Sequence, residues 1–265
     1  MQKYKLYIID LDGTMYRGTE AIEEAPYFIN QIKELKQDYV FLTNNSTKTS
    51  EGVLEHLNLF GIQAEDHQIY STSKATAQYI SSQKKNANVY MIGEKGLKQA
   101  LLAEGHQVFG AERGVEASAI DFVVTGLDRQ ITYEKLAGAV LHVRQGVPFI
   151  STNADKALPT ERGLLPGNGS LTAVVQTATG VEPKYIGKPE PLMIEMILRE
   201  RNLQKKEALM IGDNYETDIL AGIRANINTA IVYTGFSKPE HVKEEPHKPT
   251  YEWNTLADAH KDIFV

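Results

Sequence analysis

Short apolar runs and longer amphipathic segments alternate along this chain. Leu6–Ile9 has the length of a buried strand and stops abruptly at Asp10. Residues 25–36 place Phe28, Ile32 and Leu35 on one face at helical spacing. Residues 39–42 form the next strand and run into Thr43-Asn44-Asn45-Ser46. Residues 50–60 follow as a helix with Val53, Leu57 and Phe60 inward and Gly61 just past its end. Near the other end, residues 192–198 are apolar except for Glu195 and read as a buried helix. A strand at 208–211 then runs into Gly212-Asp213, followed by a helix at 217–225 and a strand at 229–233. This order predicts an α/β fold built on a Rossmann-like, doubly wound parallel sheet.

The stretch between these blocks carries its own pattern. Strands are expected at 89–92, 122–124 and 148–150, and helices at 96–103, 133–145 and 170–179. That is enough for a second α/β domain. The expected organisation is a core of residues 1–82 and 183–265 with an inserted domain of residues 83–182, hinged at 81–88 and 180–183. Gly93-Glu94-Lys95-Gly96 is read as a strand-to-helix turn inside the insert rather than a phosphate cradle.

Composition narrows the picture by exclusion. A net charge of −6 over 265 residues, with no clustered Lys or Arg, argues against nucleic acid as a partner. No apolar run approaches the roughly 20 residues needed to span a bilayer, so no membrane partner is expected. Leu6–Ile9 is too short for a secretory leader, and a cytoplasmic location is expected. There is no cysteine, which removes thiolate chemistry, and the seven histidines lack metal-ligand spacing.

The chemistry gathers at the strand ends. In extended backbone, side chains at i and i+2 point the same way, so Asp10 and Asp12 face one site beyond the first strand. Two carboxylates that close repel each other unless a metal neutralises them or one keeps a proton. If the strands 6–9, 39–42 and 208–211 are parallel neighbours, Asp10, Asp12, Thr43, Asn44 and Asp213 converge at one sheet edge. Such a hard oxygen set suits Mg²⁺ and not zinc. With the cation of Lys188, in Gly187-Lys188-Pro189-Glu190-Pro191, the set meets the needs of phosphoryl transfer.

Asp10-Leu11-Asp12-Gly13-Thr14, Thr43-Asn44, Lys188 and Gly212-Asp213-Asn214-Tyr215-Glu216-Thr217-Asp218 resemble, in order, the four motifs of the haloacid dehalogenase superfamily. Only a turn and one helix fit between the first two motifs, whereas the whole insert lies between the second and third. That placement resembles the C2-capped, NagD-like or p-nitrophenyl phosphatase branch. Ser151-Thr152-Asn153-Ala154-Asp155 and Pro166-Gly167-Asn168-Gly169 are similar to its substrate-facing cap loop. The resemblance implies Asp10 as nucleophile and Asp12 as acid and base. It implies phosphate contacts from Thr43, Asn44 and Lys188, and cap contacts from Thr152, Asn153 and Asp155. Mg²⁺ would be held by Asp10, Asp213 and the main-chain carbonyl of Asp12, with Asp218 behind Lys188 or a metal-bound water. The implied partner is a small phosphorylated metabolite, and the cap offers a surface for a homo-oligomer. Alternatives on the same fold are a non-catalytic sensor of phosphorylated metabolites and a phosphotransferase or mutase.

Overall fold

A computed structural model describes residues 4–111, 120–160 and 162–264. The chain divides into two compact units. The first comprises residues 1–43, 51–70 and 188–265, and the second comprises residues 44–50 and 71–187.

Among the described residues the first unit is organised on a six-stranded sheet. Its order is Tyr251–Trp253, Asn228–Val232, Ala208–Gly212, Leu6–Ile9, Asp38–Thr43 and Ile69–Ser71. Leu6–Ile9 is central because all four of its residues are apolar and fully buried, leaving no face for solvent. It pairs in parallel with both neighbours, Ile9 lying opposite Ile211 on one side and Phe41 on the other. The chain adds strands to one side of Leu6–Ile9 early and to the other side late, which makes this point the switch of a doubly wound sheet. One face is filled by Phe28, Ile29 and Ile32 of helix Ala25–Glu34 and Val53 and Leu57 of helix Ser50–Leu59. A two-strand hairpin, Tyr16–Arg17 with Glu20–Ala21, follows the first motif.

The second unit is a smaller α/β body. Among the described residues its main sheet has five strands in the order Lys184–Tyr185, Phe149–Ser151, Phe122–Thr125, Asn88–Ile92 and Gln107–Phe109, all parallel. Tyr90, Ile92, Val123, Ala139, Val143, Phe149 and Val175 fill its core. Helix Thr72–Gln83, which the sequence pattern does not mark, belongs to this unit and packs on helix Lys95–Ala103. Its buried face is Thr72, Ser73, Ala75, Thr76, Ala77 and Ile80, too weakly apolar to register as a helical stripe. At the far end, Lys184–Tyr185 adds an edge strand to this sheet and the unit closes at Gly187. A hairpin of Ala157–Thr160 and Gly163–Pro166 occupies what the sequence presents as loop. Among the described residues, no helix is long and apolar enough to cross a membrane.

Candidate active site

The parallel register sets the site. The Asp10 amide donates to Ile211 O at 2.8 Å, continuing the ladder one residue past Ile9 and fixing where the carboxylate projects. Asp213 follows the neighbouring strand Ala208–Gly212, and Thr43 closes Asp38–Thr43 on the other side. Asp10, Thr43 and Asp213 are all buried.

Lys188 binds this edge together. Its Nζ donates to Asp10 Oδ1 at 2.5 Å and to Leu42 O at 3.1 Å, and pairs with Asp218 Oδ1 at 2.7 Å. Asp218 lies in a wide turn, Tyr215–Ile219, which precedes the helix Leu220–Ala225. Asn214 O accepts from both the Asp218 amide at 2.8 Å and the Ile219 amide at 3.4 Å. Such i→i+5 turns within helices gather at functional sites. The Asn214 amide in turn donates to Asp218 Oδ2 at 3.0 Å, so the carboxylate is held at both oxygens.

One carboxylate oxygen each from Asp10, Asp213 and Asp218 lies within 4.8 Å of the others. Three buried acids against one ammonium leave an excess of negative charge out of water, a costly arrangement for the bare protein. That excess shifts the carboxyls. Burial pushes the Asp10 carboxyl well up, Asp218 adds to the shift, and Lys188 opposes it. Burial and then Asp218 push Asp213 up to about 7. Burial alone would depress Lys188, yet Asp10 and Asp218 raise it, so the lysine stays charged. Hard oxygen donors with unmet negative charge fit Mg²⁺.

Space around Asp213 is equally determined. A Cβ on Gly13 would come within 2.3 Å of Asp213 Oδ2, and one on Gly235 within 2.0 Å. Gly13 also has φ +90°, so only glycine meets both demands there. The Phe236 amide donates to Asp213 Oδ2 at 2.6 Å, and Thr234 Oγ1 donates to Gly13 O at 2.7 Å. Thr234, Gly235 and Phe236 were not singled out from sequence. The signal was there, since strand Asn228–Val232 also runs into polar and glycine residues, as the three motif strands do.

Asp12 stands apart from the acid trio. Its side chain is exposed, and its Oδ1 accepts from the Gly18 amide at 3.3 Å. Asn44, Thr152, Asn153 and Asp155 belong to the second unit, where Asn44, Asn153 and Asp155 are bonded to one another. Asn44 Nδ2 donates to Asp155 Oδ1 and Oδ2 at 3.1 and 3.3 Å. Asn44 O accepts from Asn153 Nδ2 at 2.8 Å and from Thr72 Oγ1 at 2.9 Å. Thr152 is buried, accepting from Asn168 Nδ2 at 3.2 Å and, through its carbonyl, from the Gly187 amide at 2.8 Å. Of the loop side chains expected to face substrate, Asn153 and Asp155 bond Asn44, whereas Thr152 Oγ1 accepts from Asn168.

With this geometry in hand, the comparisons with known proteins are decisive. A family model described as haloacid dehalogenase-like hydrolase matches residues 7–107, and a second, HAD-hydrolase-like, matches residues 185–259. The chain is 51% identical to the 5'-nucleotidase YutF of Bacillus subtilis, covering 97% of this chain and 98% of that one. It belongs to the haloacid dehalogenase-like hydrolases. It is also 47% identical to an acid sugar phosphatase of Staphylococcus aureus, with 98% of each chain covered. A thermostable NPPase double mutant from Geobacillus stearothermophilus is similar in structure, with a TM-score of 0.89 at 46% identity over 97% of this chain and 98% of that one. The two family matches fall on the two sequence blocks that build the Asp10 and Asp213 strands, so family membership and site geometry rest on the same residues.

Proposed function

We propose that this protein is a Mg²⁺-dependent phosphatase that hydrolyses phosphate monoesters of small metabolites through an aspartyl-phosphate on Asp10. The observation that carries the reading is the buried Asp10, Asp213 and Asp218 trio with Lys188 bonded to Asp10. Asp10 and Asp213, with the Asp12 main-chain carbonyl, would hold the metal, while Asp218 stays paired with Lys188. Bound Mg²⁺ supplies the positive charge that keeps Asp10 ionised and offsets the charge of the phosphoryl group.

The chain's own residues do the rest. An Asp10 carboxylate oxygen attacks phosphorus and forms the acyl phosphate, and the ester oxygen departs. Asp12, exposed two residues further along, gives that oxygen its proton. In the second half Asp12 takes a proton from water as the water oxygen attacks phosphorus. The bond to Asp10 breaks, inorganic phosphate leaves, and both aspartates return to their starting states. Lys188 holds Asp10 in place for attack, and the Thr43 hydroxyl and Asn44 amide steady the phosphoryl oxygens. The names of the relatives, a 5'-nucleotidase, an acid sugar phosphatase and a p-nitrophenyl phosphatase, support nucleotides, sugar phosphates and aryl phosphates as the substrates to test.

The test is turnover of p-nitrophenyl phosphate and a panel of phosphorylated metabolites with Mg²⁺. Asp10→Asn is expected to lose on the order of 10⁴-fold or more in kcat while keeping its far-UV dichroism. EDTA is expected to stop the wild type. Wild-type turnover by Asp10→Asn rejects the nucleophile, and indifference to EDTA rejects the metal.

A further inference from the structure

We propose that His56 is a positioning residue for the acid and base Asp12, acting through the main chain of Gly18. Asp12 projects from the first motif into water, and its carboxylate accepts a hydrogen bond from the Gly18 amide. Gly18 is exposed in the two-residue loop of the hairpin Tyr16–Arg17 and Glu20–Ala21, with φ +56°. A 3.3 Å bond from such a loop can aim a carboxylate only if the glycine is itself held.

His56 holds it. Its Nε2 lies 2.9 Å from Gly18 O, and since a carbonyl only accepts, His56 Nε2 carries the proton and donates it. The same glycine therefore accepts from His56 and donates to Asp12. The imidazole is fixed in turn by two rings. It meets Tyr16 edge-on at 4.5 Å and 89°, and Phe60 edge-on at 5.2 Å and 89°, while Tyr16 and Phe60 stack at 5.3 Å and 22°. His56 stands on helix Ser50–Leu59, whose Val53 and Leu57 are buried in the core of the first unit. A rigid element thus reaches the proton-transfer group by a short path from helix to imidazole, to the Gly18 peptide, to the Asp12 carboxylate. Arg17 Nε on Thr234 O and the Gly13 amide on Tyr16 O at 2.7 Å hold the hairpin's stem, while His56 bonds its tip at Gly18.

This inference rests on Asp12 being the acid, and leaving groups separate the two claims. p-Nitrophenolate departs without a proton, whereas an alkoxide needs one, and kcat/KM reports the steps up to formation of the phosphoenzyme. In the Mg²⁺-loaded enzyme, His56→Ala is expected to lose on the order of tenfold more kcat/KM on the best alkyl phosphate substrate than on p-nitrophenyl phosphate. His56→Gln, whose amide nitrogen reaches the same carbonyl, is expected to recover most of that difference. Asp12→Asn is measured beside them. If Asp12→Asn keeps wild-type kcat/KM on the alkyl phosphate, the acid reading fails and this inference with it. If Asp12→Asn is impaired but His56→Ala loses both substrates equally, or neither, the role of His56 is wrong and the acid reading stands.

Discussion

The two units of this chain place polar residues at the ends of parallel strands, but of opposite kinds. In the first unit the strand ends carry Asp10 and Asp213, joined by Asp218 and Lys188, all ionisable and all buried. In the second unit the strands Phe122–Thr125 and Phe149–Ser151 end in Thr125 and Ser151, whose side-chain hydrogen-bond partners are neutral. Thr125 Oγ1 and Ser151 Oγ share Thr172 Oγ1 at 2.8 and 2.9 Å, and Asn168 Nδ2 donates to Ser151 Oγ at 3.0 Å and Asn153 O at 2.9 Å. The neutral network bonds its hydroxyls and the Asn168 amide nitrogen to one another, leaving Asn168 Oδ1 unpaired but no net charge, whereas the charged one is left with more acid than base. Parallel α/β architecture is common to both, so the chemistry is assigned by unmet charge rather than by fold.

Three perturbations sharpen this contrast, the largest at the charged edge. Removing the cation with Lys188→Met leaves the acids uncompensated and is expected to cost the metal-free protein about 3–5 kcal/mol of stability at pH 8. The loss should shrink at pH 6, where the raised carboxyls of Asp10 and Asp213 take up protons, and denaturant titration at both pH values measures it. A loss of the same size at both would contradict the charge imbalance. At the neutral edge, Asn168→Ala strands acceptors without stranding charge. Its expected cost is about 1–3 kcal/mol, unchanged between pH 6 and 8.

The smallest effect is a pH slope. The Asp213 carboxyl titrates near 7 in the folded protein, well above the roughly 4 of an unfolded aspartate. A raised carboxyl contributes stability that is fully present below the unfolded value and is lost as pH rises through about 7. The metal-free melting temperature should therefore fall from pH 6 to pH 8, and Asp213→Asn should flatten part of that fall. A slope unchanged by Asp213→Asn would place the sensitivity elsewhere.

Much of the first unit could be read directly from the chain. Leu6–Ile9 and Ala208–Gly212 are short apolar runs that stop at acidic residues, and their parallel pairing brings Asp10 and Asp213 to one edge. The ion pair between Lys188 and Asp218 was less legible, because it depends on the wide turn at Tyr215–Ile219 that rotates Asp218 inward. Helix Thr72–Gln83 escaped notice since its buried face is threonine, serine and alanine. The hairpin at 157–166 contains Pro159 and Pro166, which read locally as loop punctuation. The link from His56 to Asp12 was beyond any local pattern, since it passes through a main-chain amide in a loop 38 positions away.

The central claim is that Asp10 carries the phosphoryl group and Asp12 governs its release. Its most direct measurement is acid-quenched Asp12→Asn, mixed with substrate and Mg²⁺, followed by mass spectrometry of the peptide containing Asp10. The account predicts a phosphoryl adduct on Asp10 that accumulates beyond the wild-type level and is absent when Asp10→Asn is added. Release of inorganic phosphate at the wild-type rate with no adduct on that peptide would contradict it.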